Sequence, residues 1–224
     1  TARKVRAMLS SALRAAQLDY GLPRNAAGLA KLPKTDQPSF KPEVVTPTDA
    51  RRLLQSFEGS RLEPLVMFSL ATGVRQGELL ALRWRDLNLD DRSVSITHAV
   101  DIQAGRRVLA RTKTERAQRT LALPLLAVRA ISIRREQEQE DRLLAGDEWE
   151  DLDLVFPNPI GGIRDGRAVT RNFQAHLRRR GMEPIRWHAL RRIFAAMLQD
   201  QGVSMTQIRD LMGHSELRVT ESYA

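Results

Sequence analysis

The sequence ATGVRQGELLALRW occupies residues 71–84. Its spacing of apolar residues predicts a helix over residues 75–82, and at about 100° per residue Arg75 falls on the apolar side of that helix, with Glu78 beside it. Burying an unpaired charge is costly, so this arginine needs a partner, which Glu78 can supply. The pattern therefore predicts either a structural Arg–Glu pair or an arginine that presents its remaining donors to a phosphate.

The predicted helix over residues 187–200 contains a similar exception. Its apolar residues form one arc that contains Leu190, Ile193, Phe194, Met197 and Leu198. His188 and Arg191 lie beside this arc at i,i+3 spacing, so both side chains can reach one ligand. Taken alone, His188 is better explained as a structural histidine. A histidine and an arginine that converge beside a second arginine indicate an anion site.

Three further residues are candidates because of where they lie in the pattern. Lys113 lies in the loop between two predicted strands, where a lysine is either solvated or a mobile proton donor. Gly213 ends a predicted helix at a capping position, which places His214 in a turn. Tyr223 lies on a short predicted helix, where packing is the ordinary role of a tyrosine. No glycine pattern predicts a phosphate loop, and no cluster of carboxylates has the spacing of a metal site.

The pattern as a whole predicts a fold that is mainly α with a small antiparallel β-sheet, in the α+β class. Helices are predicted over residues 2–20, 46–57, 62–71, 75–82, 125–145, 167–180, 187–200, 204–212 and 216–223. Strands are predicted over residues 93–100, 107–111 and 119–123, with a turn at 104–105 and a short buried run at 154–156.

The first part of the chain differs in composition from the rest. Residues 1–44 contain eight basic and three acidic residues, and the stretch 22–45 is punctuated by Pro, Lys and Gly as a linker would be. We interpret residues 1–44 as the last helix of an upstream basic domain followed by a connector. A helical arm of one single domain fits the same pattern. Residues 45–224 then form the main domain.

Net charge points to a polyanionic partner. The 224 residues include 36 Lys and Arg against 27 Asp and Glu, giving a net charge of +9. Basic residues concentrate in 106–119 and 164–192, whereas 129–153 is acidic, which predicts a polarised surface. Nucleic acid is a better candidate than an anionic membrane for such a surface.

Composition also excludes several classes of protein. The chain contains no cysteine, so it has no disulfide, no thiolate zinc site and no cysteine nucleophile. A hydrophobic content of 42% excludes disorder as the main state. The longest apolar run, residues 64–74, is too short to span a bilayer. With no leader at its start, the chain is expected to be cytoplasmic, and Thr1 in place of Met indicates a fragment.

Four blocks resemble, in order, the motifs of the tyrosine recombinase (phage integrase) family. Residues 71–84 resemble its first arginine box, and Thr112-Lys113-Thr114 before RTLALP (119–124) resembles its lysine hairpin. WHALRRIFAA (187–196) resembles the His-x-x-Arg box, and LMGH (211–214) with Tyr223 nine residues later resembles the closing motif. The likeness covers about residues 45–224, whereas residues 1–40 resemble only the end of the family's core-binding domain.

The resemblance implies a tyrosine recombinase catalytic-domain-like fold over 45–224, preceded in 1–44 by the end of a core-binding domain and a linker. The implied catalytic residues are Arg75, Lys113, His188, Arg191, His214 and Tyr223, with Glu78 supporting Arg75. Arg192 departs from the family, which often has histidine there, but it is not among these six. Because the chain stops one residue after Tyr223, we expect it to lack the family's C-terminal tail.

The activity implied is site-specific DNA recombination or integration through a 3′-phosphotyrosine intermediate, as in phages and other mobile genetic elements. Its implied partners are double-stranded DNA at attachment or recombination sites and further copies of the chain, as a tetramer on DNA. No cofactor, metal or membrane is expected.

Three other hypotheses about the function remain open at this point. Residues 187–212 could form the helix-turn-helix of a non-catalytic DNA-binding regulator. An RNA-binding or ribosomal protein would explain the charge alone. A type IB topoisomerase would use the same class of tyrosine chemistry.

Overall fold

The structure, a computed structural model, describes residues 2–32, 47–112 and 117–213. Three expected site residues, Lys113, His214 and Tyr223, lie outside the described residues, as does the helix expected over 216–223. Two compact units divide the chain, residues 1–43 and 44–224. Within the described ranges, no helix is both long and apolar enough to cross a membrane.

The described part of the first unit, residues 2–32, contains two helices, α1 (Ala2–Tyr20) and α2 (Ala26–Leu29). Asn25 joins them, because its amide donates to the Ser10 carbonyl at 2.7 Å while its Oδ1 accepts from the backbone N–H of Gly28 at 3.0 Å. Asparagine is a favoured residue at such a cap. Since α2 lies inside the stretch expected to be a linker, that stretch is not wholly extended.

The second unit is mainly helical, as expected. Its helices are α3 (Pro47–Phe57), α4 (Glu63–Thr72), α5 (Gln76–Leu79), α6 (Leu125–Ala145), α7 (Gly166–Arg179), α8 (His188–Asp200) and α9 (Met205–Met212), with 3₁₀ turns at Trp84–Asp86 and Gly146–Glu148. Its strands are β1 (Leu87–Asn88), β2 (Ser93–Ile96), β3 (His98–Gln103), β4 (Arg106–Arg111) and β5 (Arg119–Ala122). Apart from α5, every described α-helix of this unit begins and ends within about one residue of the expected bounds.

Helix α4 lies at the centre of this unit. Every one of its residues is buried, and it packs against both α6 and α8. Phe68 meets Phe156 edge to face, with the ring centroids 5.7 Å apart. A helix that is covered on all sides has no polar face, which explains the long apolar run in the sequence.

The strands form two small antiparallel sheets, where the sequence predicted one. The first has the order β1-β2-β5, with Val94 opposite Leu121, and the second is the β3–β4 hairpin. The single strand expected over 93–100 is interrupted at Thr97, because β2 buries Val94 and Ile96 in the core while β3 runs outward to an exposed turn. Positive φ at Ala104 and Gly105 matches the two-residue hairpin turn.

The helix expected over residues 75–82 is also wrong in its extent. Helix α5 covers only Gln76–Leu79, and Arg75 lies before it in an extended conformation. After Leu79 the chain turns to run beside another segment, since Leu82 accepts from the backbone N–H of Val155 at 2.8 Å. This pairing competes with further helical hydrogen bonds, so the helix ends early.

Candidate active site

The site begins where α4 ends, at Gly73. This glycine has φ +61°, and a Cβ placed on it would lie 2.2 Å from Cδ1 of Phe194. Only glycine accommodates both the left-handed conformation and this close approach. The end of α4 therefore lies directly against α8, the helix that carries Arg191.

Arg75 is held by three hydrogen bonds that involve two different parts of the chain. Its backbone N–H and its Nη1 donate to the two carboxylate oxygens of Glu78, at 2.9 and 2.7 Å. Its Nη2 donates to the carbonyl oxygen of Gly213 at 2.8 Å. Each terminal nitrogen carries two hydrogens, so the guanidinium keeps donors that a phosphate can accept. The expected Arg75–Glu78 pair is thus present, with Arg75 at the N-cap rather than on the helix.

Arg191 is more deeply buried, with 2% of its surface exposed. Its Nη1 donates to the carbonyl oxygen of Gly73 and its Nη2 donates to that of Met212. The side chain thereby bridges the end of α4 and the end of α9. A guanidinium fixed by two backbone carbonyls is preorganised, because little rotamer freedom remains to be lost on binding an anion.

His188 completes the described part of the site. It lines a cleft of about 130 Å³ together with Arg75 and Arg191. Burial lowers the pKa of His188 below its ordinary value of 6.5, and the charges of Arg191, Arg192 and Arg75 lower it further. The imidazole is consequently neutral at neutral pH and able to accept a proton.

Glu78 supports two arginines. Its side chain is 3% exposed and accepts from Arg75 and, at 2.9 Å, from Nη2 of Arg119. Burial alone would raise the pKa of Glu78, but the hydrogen bonds and charges of Arg119 and Arg75 outweigh it and leave the pKa below 4.5. Glu78 is therefore a carboxylate throughout the neutral range.

Arg119 is not among the site residues that the sequence predicts. It is predicted only as the start of a strand, whereas the structure places it against Glu78 and the end of α9. The available signal was an arginine at the start of the largely apolar RTLALP run. An arginine whose side chain is 8% exposed at the edge of a core requires partners.

The described structure also shows where two segments of the expected site begin. Thr112, which precedes Lys113, and Gly213, which precedes His214, line one cleft of about 430 Å³. Arg75 and Glu78 line the same cleft. Both segments therefore start beside the Arg75–Glu78 pair. Across residues 2–32, 47–112 and 117–213, no group of three or more His, Asp or Glu side chains is arranged to hold a metal ion.

The model of the phage integrase family matches residues 43–224, which include every residue of the site. The chain belongs to the phage integrase family. Membership of this family does not favour the alternative hypothesis that the chain is a non-catalytic DNA-binding regulator.

Curated members of the family are similar over most of this chain. An integrase from Streptomyces ambofaciens is 33% identical over 224 residues, which is 97% of this chain and 57% of the relative. A tyrosine recombinase XerC-like protein from Caldanaerobacter subterraneus subsp. tengcongensis is 26% identical, over 84% of this chain and 52% of the relative. This phage integrase family chain thus spans about half the length of these two relatives.

Solved structures in the family share the fold. The Tn1549 transposon integrase, solved in complex with circular intermediate DNA, superimposes with a TM-score of 0.79 at 17% identity. The match covers 99% of this chain and 74% of that integrase. The mainly helical architecture with small antiparallel sheets is therefore the family's catalytic-domain fold, as the motifs predicted.

Proposed function

We propose that this chain is the catalytic part of a site-specific DNA recombinase or integrase, which cleaves and rejoins strands through a 3′-phosphotyrosine. The observation that carries the proposal is the convergence of Arg75, His188 and Arg191 on one cleft. Two cations and a neutral imidazole suit a phosphodiester that must be both held and attacked. Membership of the phage integrase family supports the same activity.

The proposed roles of the arginines follow from where charge develops. Attack on phosphorus places additional negative charge on the non-bridging oxygens, and the guanidinium groups of Arg75 and Arg191 can each donate to them. His214 would add a further donor. Glu78 orients Arg75 without contacting the phosphate. Because these fixed cations supply the positive field, the proposed reaction needs neither a metal ion nor another cofactor.

The proposed proton transfers involve one base and one acid. The Tyr223 oxygen forms a bond to phosphorus while its proton passes to His188, and the bond from phosphorus to the 5′-oxygen breaks. Lys113 gives that leaving oxygen its proton, releasing a 5′-hydroxyl. A phenol has a pKa near 10, so only about one in a thousand is ionised at neutral pH, which is why a base is required. Attack by a 5′-hydroxyl from another duplex reverses these steps and exchanges strands.

The proposed partners follow from that exchange. Two duplexes with two cleaved strands each need four tyrosines, so we propose a homotetramer on paired double-stranded DNA sites. The phosphotyrosyl bond retains the energy of the phosphodiester, so no nucleotide is consumed. We further propose cytoplasmic action within a mobile element, with residues 1–44 as the end of a core-binding domain and 45–224 as the catalytic domain.

Covalent trapping tests this function. The probe is a pool of nicked duplexes randomised around the nick, in which cleavage releases a short 5′-hydroxyl fragment that diffuses away. We expect an adduct that survives denaturant and disappears in Tyr223→Phe. Tyr20, the other of the two tyrosines, is 84% exposed on α1, so Tyr20→Phe is the matched control and should retain the adduct. Selective binding without any adduct would instead support a DNA-binding regulator.

A further inference from the structure

Three arginines from separate parts of the fold bind three consecutive carbonyls at the end of α9. The pairs are Arg119 with Leu211 (2.8 Å), Arg191 with Met212, and Arg75 with Gly213 (2.8 Å). The last carbonyls of a helix have no partners within it, and they form the negative end of its dipole. Cations are favourable there, and three in a row hold these last carbonyls in place.

Arg119 differs from the other two because it does not line the smaller cleft. Its Nη1 and Nη2 donate to the two oxygens of Glu78 at 3.3 and 2.9 Å, and Nη1 also donates to the Ala117 carbonyl at 3.1 Å. With Nε on Leu211, each of its three nitrogens donates to a protein acceptor. Arg119 is therefore arranged to act on its neighbours rather than on a phosphate.

We propose that Arg119 is a positioning residue, which ties Glu78 to the end of α9 and so keeps Arg75 in register with the Gly213 carbonyl, the last described atom group before the segment with Tyr223. The inference rests on the proposed function, since that segment carries the proposed nucleophile Tyr223. Glu78 is the shared element, because it accepts from both Arg75 and Arg119. Removing Arg119 leaves Arg75 bonded to Glu78 and to the Gly213 carbonyl, but removes the second bridge, which joins Glu78 to the Leu211 carbonyl.

The Arg83–Asp86 pair provides a matched control. Arg83 also donates to both oxygens of one carboxylate, with Nε and Nη2 each 3.0 Å from Asp86. Both side chains of this pair are largely buried, at 18% and 10% exposed. Nη2 of Arg83 is also 3.0 Å from Nδ1 of His98, and no hydrogen bond seen for Arg83 in the described residues reaches Arg75 or α9. Arg83→Ala therefore removes a similar ion pair without removing a hydrogen bond between Glu78, Arg75 and the end of α9.

The first measurement is single-turnover adduct formation at saturating DNA, using the best duplex recovered from the nicked pool. Misplacing reacting groups by about 1 Å can cost about 100-fold in rate, and we expect a loss of that order in Arg119→Ala with unchanged DNA affinity. Arg119→Lys should remain defective, because one ammonium cannot reach both Glu78 and Leu211. Arg83→Ala should cleave at the parental rate. Normal cleavage by Arg119→Ala, or full rescue by lysine, overturns the inference.

The second measurement needs no DNA. Because the chain has no cysteine, spin labels can be attached specifically at Ser132→Cys, exposed on α6, and Ser222→Cys, beside Tyr223. We expect the distance distribution between the labels to broaden when Arg119→Ala is added, and not when Arg83→Ala is added. Equal widths with and without Arg119 overturn the positioning role.

The two measurements separate failure of the inference from failure of the proposed function. If the parent chain forms no adduct with any duplex of the pool, the proposed function fails and the label distances still decide whether Arg119 orders the segment. If the parent forms the adduct and Arg119→Ala forms it equally fast, the function stands and the inference fails.

Discussion

Arg75 donates from Nη2 to the carbonyl oxygen of Gly213 at 2.8 Å, which joins residues 138 positions apart in the chain. The same guanidinium is paired with Glu78 and lines the cleft that also contains His188 and Arg191. An arginine proposed to hold the phosphate therefore also holds the backbone one residue before His214. The proposed phosphate contact and the position of the Gly213 carbonyl consequently depend on the same side chain.

Arg191→Lys should abolish most cleavage while leaving DNA binding largely intact. A lysine keeps the charge but cannot bridge the carbonyls of Gly73 and Met212 while also presenting a fork to phosphate. Loss of one preorganised donor costs about 2.7–4 kcal/mol of transition-state stabilisation, or about 100- to 1,000-fold in rate. Single-turnover adduct formation, measured beside DNA affinity, checks this.

Arg134→Lys is the control for that substitution. Arg134 is also 2% exposed, and it pairs with Asp141 at 2.8 Å on α6 without lining the cleft. The Arg134→Lys variant should lose about as much stability as Arg191→Lys. It should nevertheless cleave at the parental rate at temperatures where it remains folded. Equal losses of activity in the two variants would mean that Arg191 matters only for folding.

Cleavage should persist below the pH at which an ordinary histidine is protonated. Burial and the nearby arginines lower the pKa of His188 below 6.5, so it remains a neutral base as the pH falls toward that value. The profile of kcat/KM reports the uncomplexed enzyme, and its acid limb should lie below pH 6.5. At saturating DNA the limb should move to higher pH, because a bound phosphate favours the imidazolium. His188→Gln should remove the limb, and a limb unchanged in that variant would exclude His188 as the base.

Local patterns predicted most of the second unit because each helix there has capping residues, a turn glycine or an apolar stripe. Its α6 begins and ends at the expected residues, Leu125 and Ala145. The errors arose where distant contacts compete with local preference. Helix α5 ends early because Leu82 pairs with Val155, and the strand that starts at Ser93 breaks at Thr97 because only its first half reaches the core.

In the site, too, local patterns predict some residues, whereas others depend on contacts between distant parts of the chain. Local spacing predicts Arg75, His188 and Arg191 as candidates because each is a polar residue beside an apolar stripe, and the motif order groups them; the structure places all three around one cleft. Arg119 could not be found in that way, because its partners Glu78 and Leu211 lie 41 and 92 residues away. The roles of Lys113, His214 and Tyr223 stay predictions from the motifs.

Gly73→Ala should destabilise the protein more than Gly59→Ala. Both glycines have positive φ, at +61° and +72°, so each alanine bears a backbone cost of about 1–2 kcal/mol. At Gly73 the new Cβ also meets Phe194 at 2.2 Å, whereas nothing lies within 4 Å at Gly59. Overpacking adds about 1–3 kcal/mol, which urea unfolding can resolve. Equal losses at the two positions would contradict the close packing of α4 on α8.

Chelation should leave cleavage unchanged. The groups proposed to stabilise the transition state are the side chains of Arg75, Arg191 and Lys113. Removal of divalent ions should therefore not change the stabilisation of the transition state. Adduct formation in excess EDTA should match that in magnesium at equal ionic strength. The ionic strength must be held constant because phosphate contacts are sensitive to salt. Inhibition by EDTA that magnesium reverses would contradict the proposed mechanism.

Glu78→Gln should lower the free energy of unfolding at neutral pH, and this difference from the parent should disappear in acid. Breaking a buried ion pair by removing one partner costs about 3–5 kcal/mol. Because the folded protein lowers the pKa of Glu78 below the unfolded value of 4.5, this carboxylate stabilises the fold above pH 4.5. That contribution is lost as the pH falls through the lowered pKa. The difference in unfolding free energy between parent and variant should therefore narrow below pH 4.5.

Glu140→Gln is the control for this pH dependence. Glu140 is 69% exposed and pairs with Arg61 at 2.9 Å, so its removal should cost no more than about 1 kcal/mol at pH 7. Urea unfolding of all three proteins from pH 3 to 7 makes the comparison. If the unfolding free energy lost in Glu78→Gln stays constant across this range, the charge of the carboxylate is not what holds Arg75 and Arg119. That result would contradict the role of Glu78 as the shared partner of both arginines.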